Sequence, residues 1–385
     1  MFPTHDLLFF DTRMHKEALT IILALLISLI GIYEGSLKPI KNKWLIALLV
    51  FLPFSFFNTP IIGAWQFKCL AYILIYLLLF MVISSREWDR KILTIIATVG
   101  LVMSLYVMVQ KAGLDQFYSV RETRQEVLEV MKVKYPTSWS DQGTYKPVDK
   151  ARFNRALSDE KEPALVGTLG NASLVAPFIL LCFPLALRLR KWKYAAVMAL
   201  AIVLTKSFVA IAALVIVLLL WGCHLFKKNK WILIGITILL CVTIGTGLYK
   251  VSTTKGLDNG RIVVWQQVWQ DFNMKYNGQK YTMTGLGLGS YREYFVRIHK
   301  TKFLKVHNEY LEWMYCTGII GLGLFLMTLL DILRRNRKKV YLCLSLIGIS
   351  LCAMGTFVWQ LAPHIFYTII ILGLLCSTKN IPETV

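Results

Sequence analysis

Apolar positions along this chain come in long unbroken runs, not in strict alternation. Blocks of about 17–25 apolar residues are long enough to cross the hydrocarbon core as helices, and only helices or closed barrels satisfy their backbone there. Continuous blocks favour helices over a barrel. The runs fall at about Glu17–Tyr33, Trp44–Phe57, Phe67–Ile83, Ile92–Val109, Ala164–Leu187, Trp231–Tyr249, Asn308–Leu330, Val340–Phe357 and Pro363–Cys376. A further stretch, 194–226, would reach about 50 Å as one helix, too long for one crossing. Basic clusters bound it on both sides, so it has to cross twice, and Thr205-Lys206-Ser207 is the strongly polar break where it can turn. The pattern predicts an all-α polytopic membrane protein with eleven crossings, twelve being the alternative count.

Composition agrees with that reading. The chain has 385 residues, 56% of them hydrophobic, which is too apolar for a soluble domain of this length. No signal peptide stands out. Residues 1–16 carry Asp6, Asp11, Arg13, His15 and Lys16 around a short apolar run, so the first block is expected to act as an uncleaved anchor. The eight cysteines lie in or beside apolar blocks with no CxxC spacing, as small packing residues would.

A net charge of +21 invites a nucleic-acid reading, but much of the excess sits in short clusters between crossings. These are Lys38/Lys41/Lys43, Arg86/Arg90/Lys91, Arg188/Arg190/Lys191/Lys193, Lys227/Lys228/Lys230 and Arg334/Arg335/Arg337/Lys338/Lys339. With eleven crossings all five fall on one side, which makes that side and the C-terminus cytoplasmic. Two long polar segments, the Lys206 turn and the Val358–Ala362 link then face outward. The chain divides into crossings 1–4 (1–111), a first outer segment (112–163), crossings 5–8 (164–249), a second outer segment (250–307), and crossings 9–11 with a cytoplasmic tail (308–385).

The outer segments differ in charge. The first balances nine basic against nine acidic residues, and its RETRQEVLEVMKVK stretch has helical spacing. The second carries ten basic residues against Asp258, Asp271 and Glu293. The orientation rule does not govern so long an outer loop. Its positive charge fits an anionic ligand such as a diphosphate, or anionic lipid head groups. Within it, NGRIVVWQQVWQDF predicts an amphipathic helix on the membrane, with Ile262, Trp265, Val268/Trp269 and Phe272 on one face and Arg261 in the first turn. The run TGLGLGSY follows, where glycines let the backbone turn tightly or approach a ligand. It is no dinucleotide fingerprint, because spacing and βαβ context are both wrong.

Of the six histidines, His307 is best placed for proton transfer. It opens the stretch His307-Asn308-Glu309-Tyr310-Leu311, at the end of the basic segment and directly before a crossing. His364 begins the last crossing from the same side, and His299 sits in a basic run that reads as surface. The sequence holds no HExxH, no DxD and no carboxylate cluster on the outer loops, so neither a metal nor a cofactor is expected. Cationic side chains would then have to stabilise a leaving anion.

Four stretches together resemble the O-antigen ligase and O-antigen polymerase superfamily of bacterial membrane glycosyltransferases. They are GTLGNASLVAPFILLCFPLAL (167–187), LTKSFVAIAALVIVLL (204–219), NGRIVVWQQVW (259–269) and GLGLGSY through HNEYLEWMYCTGIIGLGLFL (285–326). One departure is Phe208, standing where the family usually has an arginine; the nearby cation is Lys206, which lacks the arginine's bidentate fork. The resemblance implies glycan transfer from undecaprenyl diphosphate at the outer face of the inner membrane. His307 would be the general base, and Arg261, with Lys206 or Arg292, would bind the diphosphate. Glu309 would orient His307 or bind sugar hydroxyls, and Trp265 would hold the loop helix on the membrane or stack on substrate. Asn171, Asn308 and Tyr310 complete the substrate-binding candidates. The acceptor is lipid A core in a ligase or a second lipid-linked glycan in a polymerase, with a protein acceptor as a third variant. A flippase for the same lipid would show charges inside the crossings and a repeat between the two halves, and the sequence shows neither.

Overall fold

The computed structural model describes residues 4–35, 37, 40–57, 64–112, 114, 172–225, 235, 261–273, 275–276, 279–299 and 305–377. Among them it is helical, apart from a two-residue antiparallel pair, β1 (Lys275–Tyr276) with β2 (Gln279–Lys280). Four helices open the chain: α1 (Thr4–Tyr33), α2 (Lys43–Phe57), α3 (Ala64–Ser85) and α4 (Arg90–Lys111). Then come α5 (Ala172–Arg188), α6 (Trp192–Leu204), α7 (Phe208–Leu225), α8 (Arg261–Asn273), a π-helical turn (Tyr291–Phe295) and α9 (Val296–His299). The chain closes with α10 (Glu309–Arg335), α11 (Val340–Cys352), a 3₁₀ turn (Val358–Gln360) and α12 (Ala362–Cys376).

Among the described residues, four segments are long and apolar enough, by length and composition, to cross a membrane, namely Gln66–Ser85, Arg90–Lys111, Phe208–Leu225 and Glu309–Arg335, and there are six shorter apolar helices. The chain is therefore a multi-pass membrane protein. Helix α5 is apolar all round, and Val175–Ala186 is buried apart from nothing more than a few per cent at Phe178 and Phe183. It forms the centre of the large core, packed by α4, α6, α7 and α11, while α12 lies on α3. The 194–226 stretch does break at residues 205–207, and Trp192 and Trp221 meet at 5.8 Å, so α6 and α7 form a hairpin. The first helix starts at Thr4, earlier than the hydropathy pattern places it. Apart from Gly235, the expected crossing at 231–249 lies outside the described residues, as does the helix of the first outer segment.

Basic residues gather at one end of this bundle. Arg86 pairs with Glu34, Arg335 with Asp331 at 2.8 Å, and Asn42 donates to the same Asp331 at 3.0 Å. The Arg188 guanidinium lies 5.8 Å from the centre of the Tyr341 ring. Lys339 donates to the carbonyls of Leu374, Leu375 and Ser377, and the Ser377 hydroxyl donates to Arg86 O. These contacts join α1 to α3, α3 and α11 to α12, α5 to α11, and the start of α2 to α10.

A second, smaller core stands at the opposite end, built from Val264, Val268, Leu286, Tyr291, Phe295, Val306, Tyr315 and Cys316. It corrects two expectations. The buried face of α8 is Val264/Val268/Phe272, whereas Ile262, Val263 and Trp269 stay exposed. Helix α10, expected as one straight crossing, breaks at Gly318 (φ 69°, ψ −174°). Trp313 and Phe325 stack at 4.7 Å although twelve positions would separate them by about 18 Å along a straight helix, so the chain folds sharply at the break. Gly318 and Gly285 make this possible by backbone contact: a Cβ on Gly285 would lie 2.4 Å from the Cys316 carbonyl, and one on Gly318 2.2 Å from Met283 O. Leu286 and Gly287 then donate to Tyr315 O and Cys316 O. The glycine run is thus spent on knitting the loop to α10, as the turning alternative expected.

Candidate active site at the loop end of the bundle

His307 lies between the second core and the large one. Its φ is 58°, a left-handed backbone uncommon for a side-chain-bearing residue. Local bonds hold it there. On one side, Val306 is fully buried, its carbonyl accepts from Trp265 Nε1 at 2.8 Å, and its N–H donates to Glu312 Oε2 at 3.3 Å. On the other, Asn308 is the N-cap of α10, its Oδ1 accepting from the N–H groups of Tyr310 and Leu311. The chain must therefore turn at residue 307 itself.

Three elements converge on this turn. The first is Arg261, at the first position of α8, whose Nη1 donates to Gly355 O at 2.8 Å. The second is the link between α11 and α12: Phe357 packs edge-on against the His307 ring at 4.9 Å, and Trp359 against Tyr310 at 5.7 Å. The third is the turn between α6 and α7. A Cβ on Gly355 would sit 2.5 Å from Val209 Cγ2, so the link lies hard against the start of α7, one residue past Phe208. Lys206 (φ 55°) ends α6 in this turn, with Thr205 and Lys206 donating to Ala201 O and Val203 O.

The electrostatics follow from this packing. Burial, and then the nearby Arg261 guanidinium, push the His307 imidazole down to about 4. The ring is therefore neutral at neutral pH, able to accept a proton without first losing one. Arg261 brings a fixed cation, at the end of α8 where the helix dipole is also positive.

The other candidates are placed as follows. Asn308 spends its side-chain oxygen on the helix cap. Tyr310 is half-buried and donates to Ser350 O at 2.8 Å. Trp265 ties α8 to Val306, which fixes the approach to His307. Glu309 is 1% exposed, with Oε1 accepting from the Trp359 N–H at 2.7 Å. Asn171 and the Arg292 side chain lie outside the described residues. His364 is fully buried against Phe178, with Nε2 donating to Leu174 O at 2.8 Å, and so ties α12 to α5. His299 pairs with Asp271 at 2.8 Å and packs on Phe295. Among the described residues no cluster of three His, Cys, Asp or Glu could hold a metal.

Sequence reasoning did not single out Gly355, Phe357, Trp359 or Gln360. The signal was present: the orientation rule put Val358–Ala362 on the same side as His307.

Residues 193–326, from the start of α6 into α10, match the O-antigen ligase family model, Wzy_C. Over this third of its length the chain is similar to an O-antigen ligase domain. The matched stretch contains Lys206, Arg261 and His307, while the link at 353–360 that meets Arg261 and His307 lies beyond it. No curated protein matches the chain.

Proposed function

We propose that the chain is an O-antigen ligase-type glycosyltransferase that moves a glycan from undecaprenyl diphosphate to a hydroxyl of lipid A core. In this reading the loop end of the bundle faces the periplasm, and the basic end and the C-terminus face the cytoplasm. The observation that carries the reading is the Arg261 cation, held by the 353–360 link, beside a buried and neutral His307. A neutral imidazole can accept the acceptor's proton, and a guanidinium at a helix N-terminus can hold a diphosphate.

The acceptor oxygen attacks the anomeric carbon from the side opposite the diphosphate, and the carbon–oxygen bond to the carrier breaks. His307 takes the hydroxyl proton and later releases it to water. The electron pair of the broken bond leaves on undecaprenyl diphosphate, whose developing charge Arg261 meets, with Lys206 and Arg292 as further cations. The glycosidic bond forms with inversion.

The test is the product. Purified protein in liposomes is given a glycan on undecaprenyl diphosphate together with lipid A core. Glycan attached to lipid A core, with the anomeric configuration inverted, supports the reading. Glycan that appears only as longer carrier-linked chains makes the protein a polymerase, and transfer to added protein alone makes it an oligosaccharyltransferase. Movement of the lipid across the bilayer without any new glycosidic bond overturns the enzyme reading.

A further inference from the structure

Glu309 follows the histidine by two residues, and burying a carboxylate to 1% exposure carries a desolvation cost that calls for a structural return. The side chain makes one bond to the 353–359 link and the backbone of the same residue makes another. The Glu309 N–H donates to Ala353 O at 2.9 Å, and Glu309 Oε1 accepts from the Trp359 N–H at 2.7 Å. One residue therefore grips both ends of the seven-residue link from Ala353 to Trp359. Between those grips lie Gly355, whose carbonyl receives Arg261, and Phe357, whose ring lies on His307.

A second carboxylate completes the brace. Glu312, one helical turn further on, accepts from the Val306 N–H and stands 3.8 Å from Lys305 Nζ. Lys305 in turn donates to Gln360 Oε1, at the far end of the same link. The chain on both sides of His307 is thus tied to the 353–360 link. The expectation that Glu309 binds sugar hydroxyls fits this geometry less well, since one oxygen is taken and the side chain is closed off from solvent.

We propose that Glu309 is a positioning residue: by clamping the 353–360 link it sets the spacing of the Arg261 guanidinium and the His307 ring. This rests on the glycosyltransfer reading of those two groups. A displacement of about 1 Å at a reacting centre costs on the order of 100-fold in rate, so a loosened link should be read mainly in kcat.

The experiment compares Glu309→Ala with Glu309→Gln in liposomes, with two readouts. The first is amide hydrogen exchange across peptides covering 353–361, which needs no substrate. The second is the kcat and donor KM of glycan transfer. Glu309→Ala should speed exchange in that link and lower kcat by about 100-fold with little change in KM. Glu309→Gln keeps an acceptor oxygen for the Trp359 N–H, and should hold exchange near wild type and lose less than about tenfold in kcat. Near-normal kcat in Glu309→Ala overturns the proposal. So does a Gln variant as impaired as Ala with exchange unchanged, because that pattern marks a direct role of the charge. Should Glu309→Ala fail to accumulate, the Gln variant decides alone by the same criteria. Failure of the glycosyltransfer reading is distinct: the wild-type protein would then form no glycosidic bond, whatever exchange shows.

Discussion

The two ends of the bundle use their cations in opposite ways. At the basic end, Lys339 spends its ammonium on three carbonyls at the end of α12, Arg335 pairs with Asp331, and Arg188 lies on Tyr341. Each charge there closes a helix end or ties two helices together. At the loop end, Arg261 makes a bond to the link and holds its field on a histidine that burial keeps neutral. In the proposed reading the same residue types serve assembly at one end and chemistry at the other. What sets Arg261 apart is a second neighbour: besides the Gly355 carbonyl, it stands near a titratable base.

The sharpest way to break this contrast is to remove the base. His307→Ala should lower glycan transfer by about 10³-fold while the protein still inserts and purifies. Near-normal transfer would leave the loop end with no chemistry. Arg261 comes next. Arg261→Ala should cost about 100-fold in donor use, and Arg261→Lys markedly less, because a point charge keeps the field but not the bond to Gly355 O. Equal activity of both variants with wild type would remove the diphosphate role.

A smaller effect tests the histidine's environment. An ordinary histidine titrates near 6.5, and His307 near 4. The base is competent when neutral, so kcat/KM should stay flat as pH falls from 7 to about 5 and decline only below that. An acid limb near 6.5, about a tenfold loss by pH 5.5, would show an unshifted histidine. The sign for stability follows from the same depressed value. Between about pH 6.5 and 4 the unfolded chain binds more protons than the folded one, so this group destabilises the fold as pH falls through that window. In Arg261→Ala the limb should move upward, since the cation that lowers it is gone, and burial still keeps it below the ordinary value.

Much of this was legible in the sequence because it depends on period and charge. The bundle follows from block length, the hairpin from a single polar break in an overlong block, and the gathering of basic clusters from the orientation rule. His307 and Arg261 were legible because each stands beside a recognisable element, the first turn of a helix or the start of an apolar block. What the sequence hid depends on distant backbone. Nothing in GLGLGSY states that its partner is the α10 backbone at Cys316, and nothing in Trp313 and Phe325 states that Gly318 folds one onto the other. The link at 353–360 read as a plain connection because its role lies in carbonyls and amides, which every residue has. The N-cap role of Asn308 was hidden for the same reason, since its partners are the amides of Tyr310 and Leu311.

The smallest expected effect gives the most direct comparison of the two ends, because the chain contains a matched pair. Arg190 ends α5 at the basic end with φ 56°, and Lys206 ends α6 at the loop end with φ 55°. Both N–H groups donate back three residues, to Leu187 O and Val203 O, so each is a basic residue in a helix-ending conformation that glycine suits better. Exchange for glycine therefore favours the backbone at both positions and removes one cation from each end. If cations at the basic end serve assembly alone, Arg190→Gly should leave transfer within about twofold. If Lys206 contributes to the field on the leaving diphosphate, Lys206→Gly should lose about fivefold, the size of a partly exposed charge contribution near 1 kcal/mol, and Lys206→Arg should recover it. Transfer rates of the two glycine variants, measured side by side at low and high salt, decide the matter. The Lys206 deficit should shrink as salt screens the charge. Identical rates for the two variants would make the Lys206 turn a helix terminator like its counterpart, and leave Arg261 and Arg292 to hold the anion.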